Sequence, residues 1–287
     1  MPSALADLSI ILPAKNEAAS LLILLPELRT RFPDAEIIVV DDGSTDETPE
    51  VCAAHGVRRL AHPYSLGNGA AIKAGARAAQ GELLCFMDAD SQHNPAEISQ
   101  LLAKFDEGYD MVVGARATAG HASQGRRYAN AFYNWFASWM THCEVKDLTS
   151  GFRIARASLF REFLSLLPNG FSYPTTCTMA FFRAGYKVAY VPINARTRIG
   201  QSHINPLRDG LRFLLIIFKI GTLFSPLKIF LPLSLAFFLS GLAYYGYTFA
   251  TEHRFTNMSA LLLSNAVLIF LIGLVSEQIT MLMYRDR

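Results

Sequence analysis

Residues Glu36–Thr48 read EIIVVDDGSTDET. Glu36–Val40 reads as a strand; after the opening glutamate it is β-branched throughout, with no polar alternation, which predicts that both its faces are covered. DDGSTD is a cluster of turn formers, and Thr48 opens a helix-like segment, Thr48–Ala54. Strand, polar turn and helix in that order form one βα unit. The same pattern recurs on either side. Leu8–Leu12, Val57–Ala61, Leu83–Met87 and Met111–Val113 read as strands, and Ala18–Arg31, Gly69–Gln80 and Ala96–Glu107 as helices. Such alternation predicts an α/β domain, Rossmann-like, with a mostly parallel sheet between two helical layers.

Ligands of such sheets bind outside the carboxyl ends of the strands. Three polar clusters sit there: PAKNE after the first strand, DDGSTDET after the second and DADSQ after the fourth. Taken singly, Asn16 or Asp46 reads equally as a helix cap, and Asp42-Gly43 as a turn. Their arrival at one sheet edge is what points to a ligand site. Beyond residue 115 the alternation stops. There follow a loop, a helix over Tyr128–Met140, the string DLTSGFR, a strand over Lys187–Pro192 and then ARTRIGQSH.

The chain is 51% hydrophobic with a mean hydropathy of +0.24, and the excess sits at the end. Ile229–Ala250 and Met258–Ser276 contain no charged residue, and each is long enough to cross a bilayer as a helix. The short link Thr251–Asn257 makes the pair a hairpin. Before it, Leu207–Phe224 gathers Arg208, Arg212 and Lys219 on one side of a helical wheel, which predicts an amphipathic helix lying in the membrane interface. The expected organisation is a domain over 1–205, an interfacial helix over 206–224 and a membrane hairpin over 225–287, with spans at about 229–250 and 258–283. Arg208, Arg212, Lys219 and Lys228 precede the first span and Arg285 and Arg287 follow the second, whereas the link offers only Arg254. The positive-inside rule then predicts a multi-pass membrane protein with its N-terminal domain and both termini in the cytoplasm. The opening MPSALADLSIILP has neither the basic start nor the apolar length of a signal peptide.

The four cysteines lie far apart without metal-ligand spacing, as expected of reduced, buried thiols. Before Gly221 the chain carries 22 basic and 21 acidic residues, a balance that gives no reason to expect a nucleic-acid partner.

DADSQ admits three readings. As an EF-hand loop it lacks the glycine and the closing glutamate. As the D-x-D-x-T motif of aspartyl-phosphate phosphatases it has Gln92 in place of threonine and stands on the fourth strand instead of the first. As a divalent-metal site, an extended segment would turn Asp88, Asp90 and Gln92 to one side, with Ala89 leaving room between the carboxylates. Hard oxygen ligands of this kind suit Mg²⁺ or Mn²⁺.

Taken in order, PxxNE, VVDDGSTD, DADxQ, VGAR, SGFR and RxGxS resemble the family-two glycosyltransferases of the GT-A fold. Among these the chain is most similar to polyprenyl-phosphate glycosyltransferases, the dolichol-phosphate mannosyltransferases and their bacterial relatives with two membrane spans. The resemblance implies that Pro13, Asn16, Glu17, Asp41 and Asp42 hold the base and ribose of a UDP- or GDP-linked sugar, with Asp88 and Ala89 close to the donor. It implies that Asp90 and Gln92, beside Asp88, bind Mg²⁺ or Mn²⁺ on the diphosphate, and that Asp88, Asp90 and Arg116 are the catalytic set. Arg116, Arg153, Arg198 and Ser202 would face the phosphates of donor and acceptor. Ser65, Asn68 and His203 depart from the family's usual asparagine and lysines. The implied reaction is inverting transfer to a membrane polyprenyl phosphate. The alternatives are a membrane glycosyltransferase with a glycan or glycerolipid acceptor, from whose processive forms the missing QxxRW string departs, and an inactive nucleotide-sugar-binding scaffold. The sugar, the nucleotide and the question of a homo-oligomer stay open.

Overall fold

The structure, a computed structural model, describes residues 7–116, 124–170, 172–194, 218–219 and 221–285. It forms two compact units, Met1–His203 and Ile204–Arg287.

The first unit runs β1 (Leu8–Ala14), α1 (Ala18–Arg31), β2 (Glu36–Asp41), α2 (Thr48–Ala54), β3 (Arg58–Ala61), α3 (Asn68–Ala78), β4 (Leu83–Phe86), α4 (Glu97–Phe105) and β5 (Met111–Arg116). It continues with α5 (Gln124–Thr141), β6 (Arg153–Arg156), α6 (Ala157–Glu162), α7 (Tyr173–Arg183) and β7 (Val188–Ile193). The seven strands pair in the order β3-β2-β1-β4-β6-β5-β7. Ile10, Ile11 and Leu12 of β1 and Ile38, Val39 and Val40 of β2 are all fully buried, so both faces of the central strands are covered, as their unbroken apolarity predicts. Each such side chain contributes about 1.5–3 kcal/mol relative to an exposed one.

All pairings are parallel except those of β6, which runs antiparallel to β4 and β5. This strand was not expected, because RIAR is short and carries two arginines. Register then explains why the polar clusters meet. Ala14 pairs with Asp41 and Ile11 with Phe86, so the chains leaving β1, β2 and β4 emerge side by side at the same edge.

The second unit is a helical hairpin, α8 (Pro226–Glu252) and α9 (Asn257–Arg285). Both helices are long and apolar enough to cross a membrane, with mean hydropathies of 1.7 and 2.4. They are longer than the charge-free runs, and the link is correspondingly shorter, turning at His253 with φ 52°. Their contact face is built from small residues at heptad spacing: Ser234, Gly241 and Thr248 on α8, and Ser259, Ala266, Gly273 and Thr280 on α9 are buried. Small residues let two apolar helices approach closely where no hydrophobic effect drives them together. A Cβ on Gly273 would stand 2.6 Å from Phe230 Cβ, and Ser234 Oγ donates to Ala266 O at 2.8 Å. Glu277, the one acidic residue of α9 and the residue just after the charge-free run, accepts a hydrogen bond from the Leu227 amide at 3.3 Å, near the start of α8. The interfacial helix expected over 206–224 lies outside the described residues, apart from helical turns at 218–219 and 221–224.

Candidate active site

At the carboxyl edge of β1, β2 and β4 lies a cavity of about 340 Å³. The loop after β1 supplies Pro13, Ala14, Lys15 and Glu17, and the end of β2 supplies Asp42. The turn before α3 adds Ser65, Gly67 and Asn68, and the chain after β4 adds Asp88, Ala89 and Asp90. Four carboxylates and one lysine therefore surround the space. Of the residues expected at the site, Pro13, Glu17, Asp42, Asp88, Ala89 and Asp90 meet here.

Asp42 is buried and lines the cavity. Its Oδ1 lies 2.7 Å from His62 Nδ1 and accepts from the Leu66 amide at 2.8 Å, while Oδ2 accepts from Ser65 Oγ at 2.7 Å and the Gly67 amide at 2.9 Å. Both oxygens are thus engaged in shaping the turn that leads into α3. Gly67 has φ +102°, and a Cβ there would stand 2.5 Å from Asn169 O; only glycine fits this approach. Burial pushes the Asp42 carboxyl up, but these hydrogen bonds outweigh it and bring it down to about 2. A carboxylate whose folded pKa lies below the unfolded value of about 3.9 stabilises the fold above that pH, and the contribution drains away as pH falls through the folded value. Asp42→Asn is therefore expected to lower the melting temperature of the full chain at neutral pH, with the gap to the parent shrinking between about pH 4 and pH 2. Thermal melts at stepped pH check this; a gap that does not change with pH would remove the charge from the explanation.

Asp88 stands at the end of β4. Burial again pushes its carboxyl up, but His93, Asn68 and the charge of Arg116 bring it below the ordinary carboxylate value. His93 was not singled out in the sequence. It is buried, stacks on Phe152 at 4.9 Å between ring centroids, and places Nε2 3.8 Å from Asp88 Oδ2. Gly151 lets the following loop pass close by, since a Cβ there would stand 3.1 Å from Asp88 Oδ2.

The extended conformation expected of DADSQ is not what forms. Ala89–Ser91 makes a turn in which Ser91 has φ 60°, and the Gln92 amide donates back to Asp90 Oδ1 at 3.2 Å. Asp88 and Asp90 reach the cavity, but Gln92 does not line it.

Four further residues expected at the site are placed away from the lining of this cavity. Asn16 braces two loops: its amide donates to Ser44 Oγ at 3.0 Å, and its Oδ1 accepts from the Thr45 amide at 2.8 Å. Asp41 is 2% exposed and is held by the Ser44 amide at 2.8 Å and the Arg59 guanidinium at 2.9 Å. Neither lines the cavity. Arg153 does not line the cavity. It sits on β6, fully buried, with its guanidinium donating to Ser150 O, Pro174 O and Thr178 Oγ1 and lying 5.8 Å from the centre of the Tyr173 ring. Strand alternation turns it into the core. Arg116 does not line the cavity either, although its charge acts on Asp88. Asp147 grips it in a fork, Nε to Oδ2 at 2.9 Å and Nη2 to Oδ1 at 3.2 Å, and Nη2 also donates to Thr149 Oγ1 at 2.6 Å. Asp147 went unmarked; its only sequence signal is the D-x-T turn it caps through the Thr149 amide. Asp46 behaves as a cap, accepting from the Ala18 amide at the start of α1 and from the Thr48 amide at the start of α2. Arg198, Ser202 and His203 lie outside the described residues.

A mostly parallel sheet carrying a carboxylate-lined cavity at its carboxyl edge has the architecture of the GT-A glycosyltransferases. Residues 9–184 match Glycosyl transferase family 2, and residues 225–282 match the GtrB C-terminal hairpin. The chain belongs to glycosyl transferase family 2 and is a glycosyltransferase. It is 29% identical over 208 residues to a dolichyl-phosphate hexose transferase of Haloferax volcanii, covering 71% of this chain and 89% of that one. It is 28% identical over 226 residues to an undecaprenyl-phosphate mannosyltransferase of Micrococcus luteus, covering 70% and 93%. Among solved structures, glucosyl-3-phosphoglycerate synthase of Mycobacterium tuberculosis, in complex with Mn²⁺, UDP and glucosyl-3-phosphoglycerate, shares the fold. The TM-score is 0.59 at 23% identity, covering 75% of this chain and 78% of that chain.

Proposed function

We propose that this enzyme transfers a sugar from a nucleotide diphosphate sugar to the phosphate of a membrane polyprenyl phosphate, with inversion at the anomeric carbon and with a divalent cation. The observation that carries the proposal is the charge of the cavity: Glu17, Asp42, Asp88 and Asp90 face one lysine, Lys15. A diphosphate entering such a space needs a cation beside it, and hard carboxylate oxygens suit Mg²⁺ or Mn²⁺. Among the described residues no group of three or more His, Cys, Asp or Glu side chains is arranged to hold a metal ion, so substrate oxygens would have to complete its coordination. Asp90 and Asp88 are the residues that would hold it, and when bound it would neutralise the charge of the departing diphosphate.

This chain's own groups do the rest. Lys15 and the start of α3, which reaches the cavity through Gly67, Asn68 and Ala71, favour an anion. Arg116, fixed by Asp147, adds a positive charge that Asp88 feels. The acceptor needs little activation, because a phosphate monoester with a second pKa near 6 is already largely dianionic at neutral pH. Positioning and electrostatics therefore carry the step. The apolar hairpin keeps the enzyme at the bilayer where such a lipid resides. The flanking basic residues orient the catalytic domain and both termini to the cytoplasm. At the opposite end, Arg254 is countered by Glu252 at 3.1 Å.

The test is a panel of UDP- and GDP-linked radiolabelled sugars offered to the full chain in lipid with a short polyprenyl phosphate. One donor is expected to deliver label to the organic phase, to stop on chelation and to recover on adding Mn²⁺ or Mg²⁺. Transfer undiminished by exhaustive chelation would sink the metal assignment.

A further inference from the structure

After β4 the chain turns through Ala89–Ser91 and comes back to Asp88 with His93, whose Nε2 stands 3.8 Å from Asp88 Oδ2. The segment is tied down directly afterwards. Asn94 Oδ1 accepts from the Ala96 amide at 3.1 Å, and Asn94 O accepts from the Glu97 amide at 2.9 Å, where α4 begins. The imidazole lies against the Phe152 ring, with the two planes 22° from parallel. Phe152 is itself fully buried, and its carbonyl accepts from the Gly114 amide at 2.9 Å. Its ring takes the space a Cβ on Gly114 would need, with an edge carbon 2.8 Å from that position. The ring that supports His93 is therefore fixed by β5.

Histidine is a costly filling for such a place. The residue is buried, and among the described residues Nδ1 finds no hydrogen-bond partner. A buried polar atom left unpaired is destabilising, whereas phenylalanine or leucine would fill the same space without one. The nitrogen that remains is Nε2, and the group beside it is the Asp88 carboxylate.

We propose that His93 is a positioning residue for sugar transfer: held flat against Phe152, it fixes the orientation of the Asp88 carboxylate at the cavity. The inference rests on the reading of Asp88 and Asp90 as the pair that would hold the cation. Asp88 has need of such a hold, because its side chain is 36% exposed and Gly151 brings no side chain against it. Asn68, at the start of α3, hydrogen-bonds Asp88 as well, so with His93 the carboxylate is held from two elements. A separation of 3.8 Å is longer than a formed hydrogen bond. Catalytic hydrogen bonds often stand long before substrate is bound and close when it is.

The test compares His93→Phe, which keeps the ring and the stack but has no nitrogen, with His93→Gln, whose amide nitrogen reaches about as far as Nε2. Thermal melts of the full chain in lipid are expected to show His93→Phe no less stable than the parent, since it removes an unpaired buried atom. Its transfer rate is nevertheless expected to fall, and its Mn²⁺ affinity with it, by roughly tenfold to a hundredfold, the loss typical when the partner of a ligating group is removed. Affinity is read without turnover, from the EPR signal of free Mn²⁺ titrated with the full chain and UDP, and again with GDP. His93→Gln is expected to recover most of both losses. Parent-like rate and affinity in His93→Phe overturn the inference, as does a glutamine no better than phenylalanine. If the phenylalanine variant melts well below the parent, His93→Leu takes its place and is held to the same outcomes. A parent that binds Mn²⁺ but passes no sugar to a polyprenyl phosphate overturns the acceptor reading alone, and the affinities of the variants still decide the role of His93. A parent that binds no Mn²⁺ with either nucleotide overturns the metal assignment and this inference together.

Discussion

Asp90→Asn is expected to lower sugar transfer by about a hundredfold or more, the scale on which a single electrostatic contact to developing charge is felt. The substitution is close to isosteric and keeps a carbonyl oxygen for the Gln92 amide, so the turn after β4 should survive. What changes is the charge of the cavity, which falls from four carboxylates to three. If Asp90 helps to hold a divalent cation, the loss should appear both as slower turnover and as a higher metal concentration for half-activity. If Asp90 only shapes the turn, Asn should be nearly neutral. Initial rates over a Mn²⁺ series, with thermal melts to show an intact fold, separate these outcomes.

Asp147→Leu is the second large effect. It frees Arg116, whose guanidinium loses both oxygens of the fork, while the Thr149 and Ser150 amides lose the acceptor that caps their turn. Breaking a wholly buried charge pair costs about 3–5 kcal/mol. The Arg116 side chain is 32% exposed, so about 2 kcal/mol is the better expectation once water screens the stranded charge. Activity should fall more than stability explains, by roughly tenfold to a hundredfold, because a loose arginine no longer supplies a fixed charge beside Asp88. Arg116→Lys tests the same point from the other side. It keeps the charge but loses the planar fork, and is expected to be impaired in rate while melting close to the parent. Full rates in either variant would remove the clamp from the mechanism.

The sheet was legible because its central strands are apolar on both faces and each is followed by a helix. The site edge was legible because PAKNE, DDGSTDET and DADSQ all follow strands that turn out to be neighbours. β6 was not, since a four-residue strand with arginine at both ends carries no hydrophobic signal. That omission bears on Arg153: SGFR alone gives no sign that its arginine lies on a strand, paired with Phe86 and buried. Asn16 and Asp41 stand outside the cavity lining for a different reason. Both have the chemistry of ligand residues, but turns demand the same chemistry, and here the Ser44 and Thr45 groups claim them. His93 and Asp147 were missed because each acts across the fold from a segment with no periodic pattern. The heptad of small residues in the hairpin was present in the sequence, and it emerges only when the two apolar runs are aligned as packing partners.

The most direct measurement is the structure of the lipid product, isolated from the full chain supplied with its donor and a polyprenyl phosphate and examined by mass spectrometry and NMR. The account predicts a single sugar joined through its anomeric carbon to the lipid phosphate, with the configuration opposite to the donor's and one nucleoside diphosphate released for each sugar transferred. A product with the donor's own configuration, or a sugar found on a glycerolipid hydroxyl or a glycan, would contradict it.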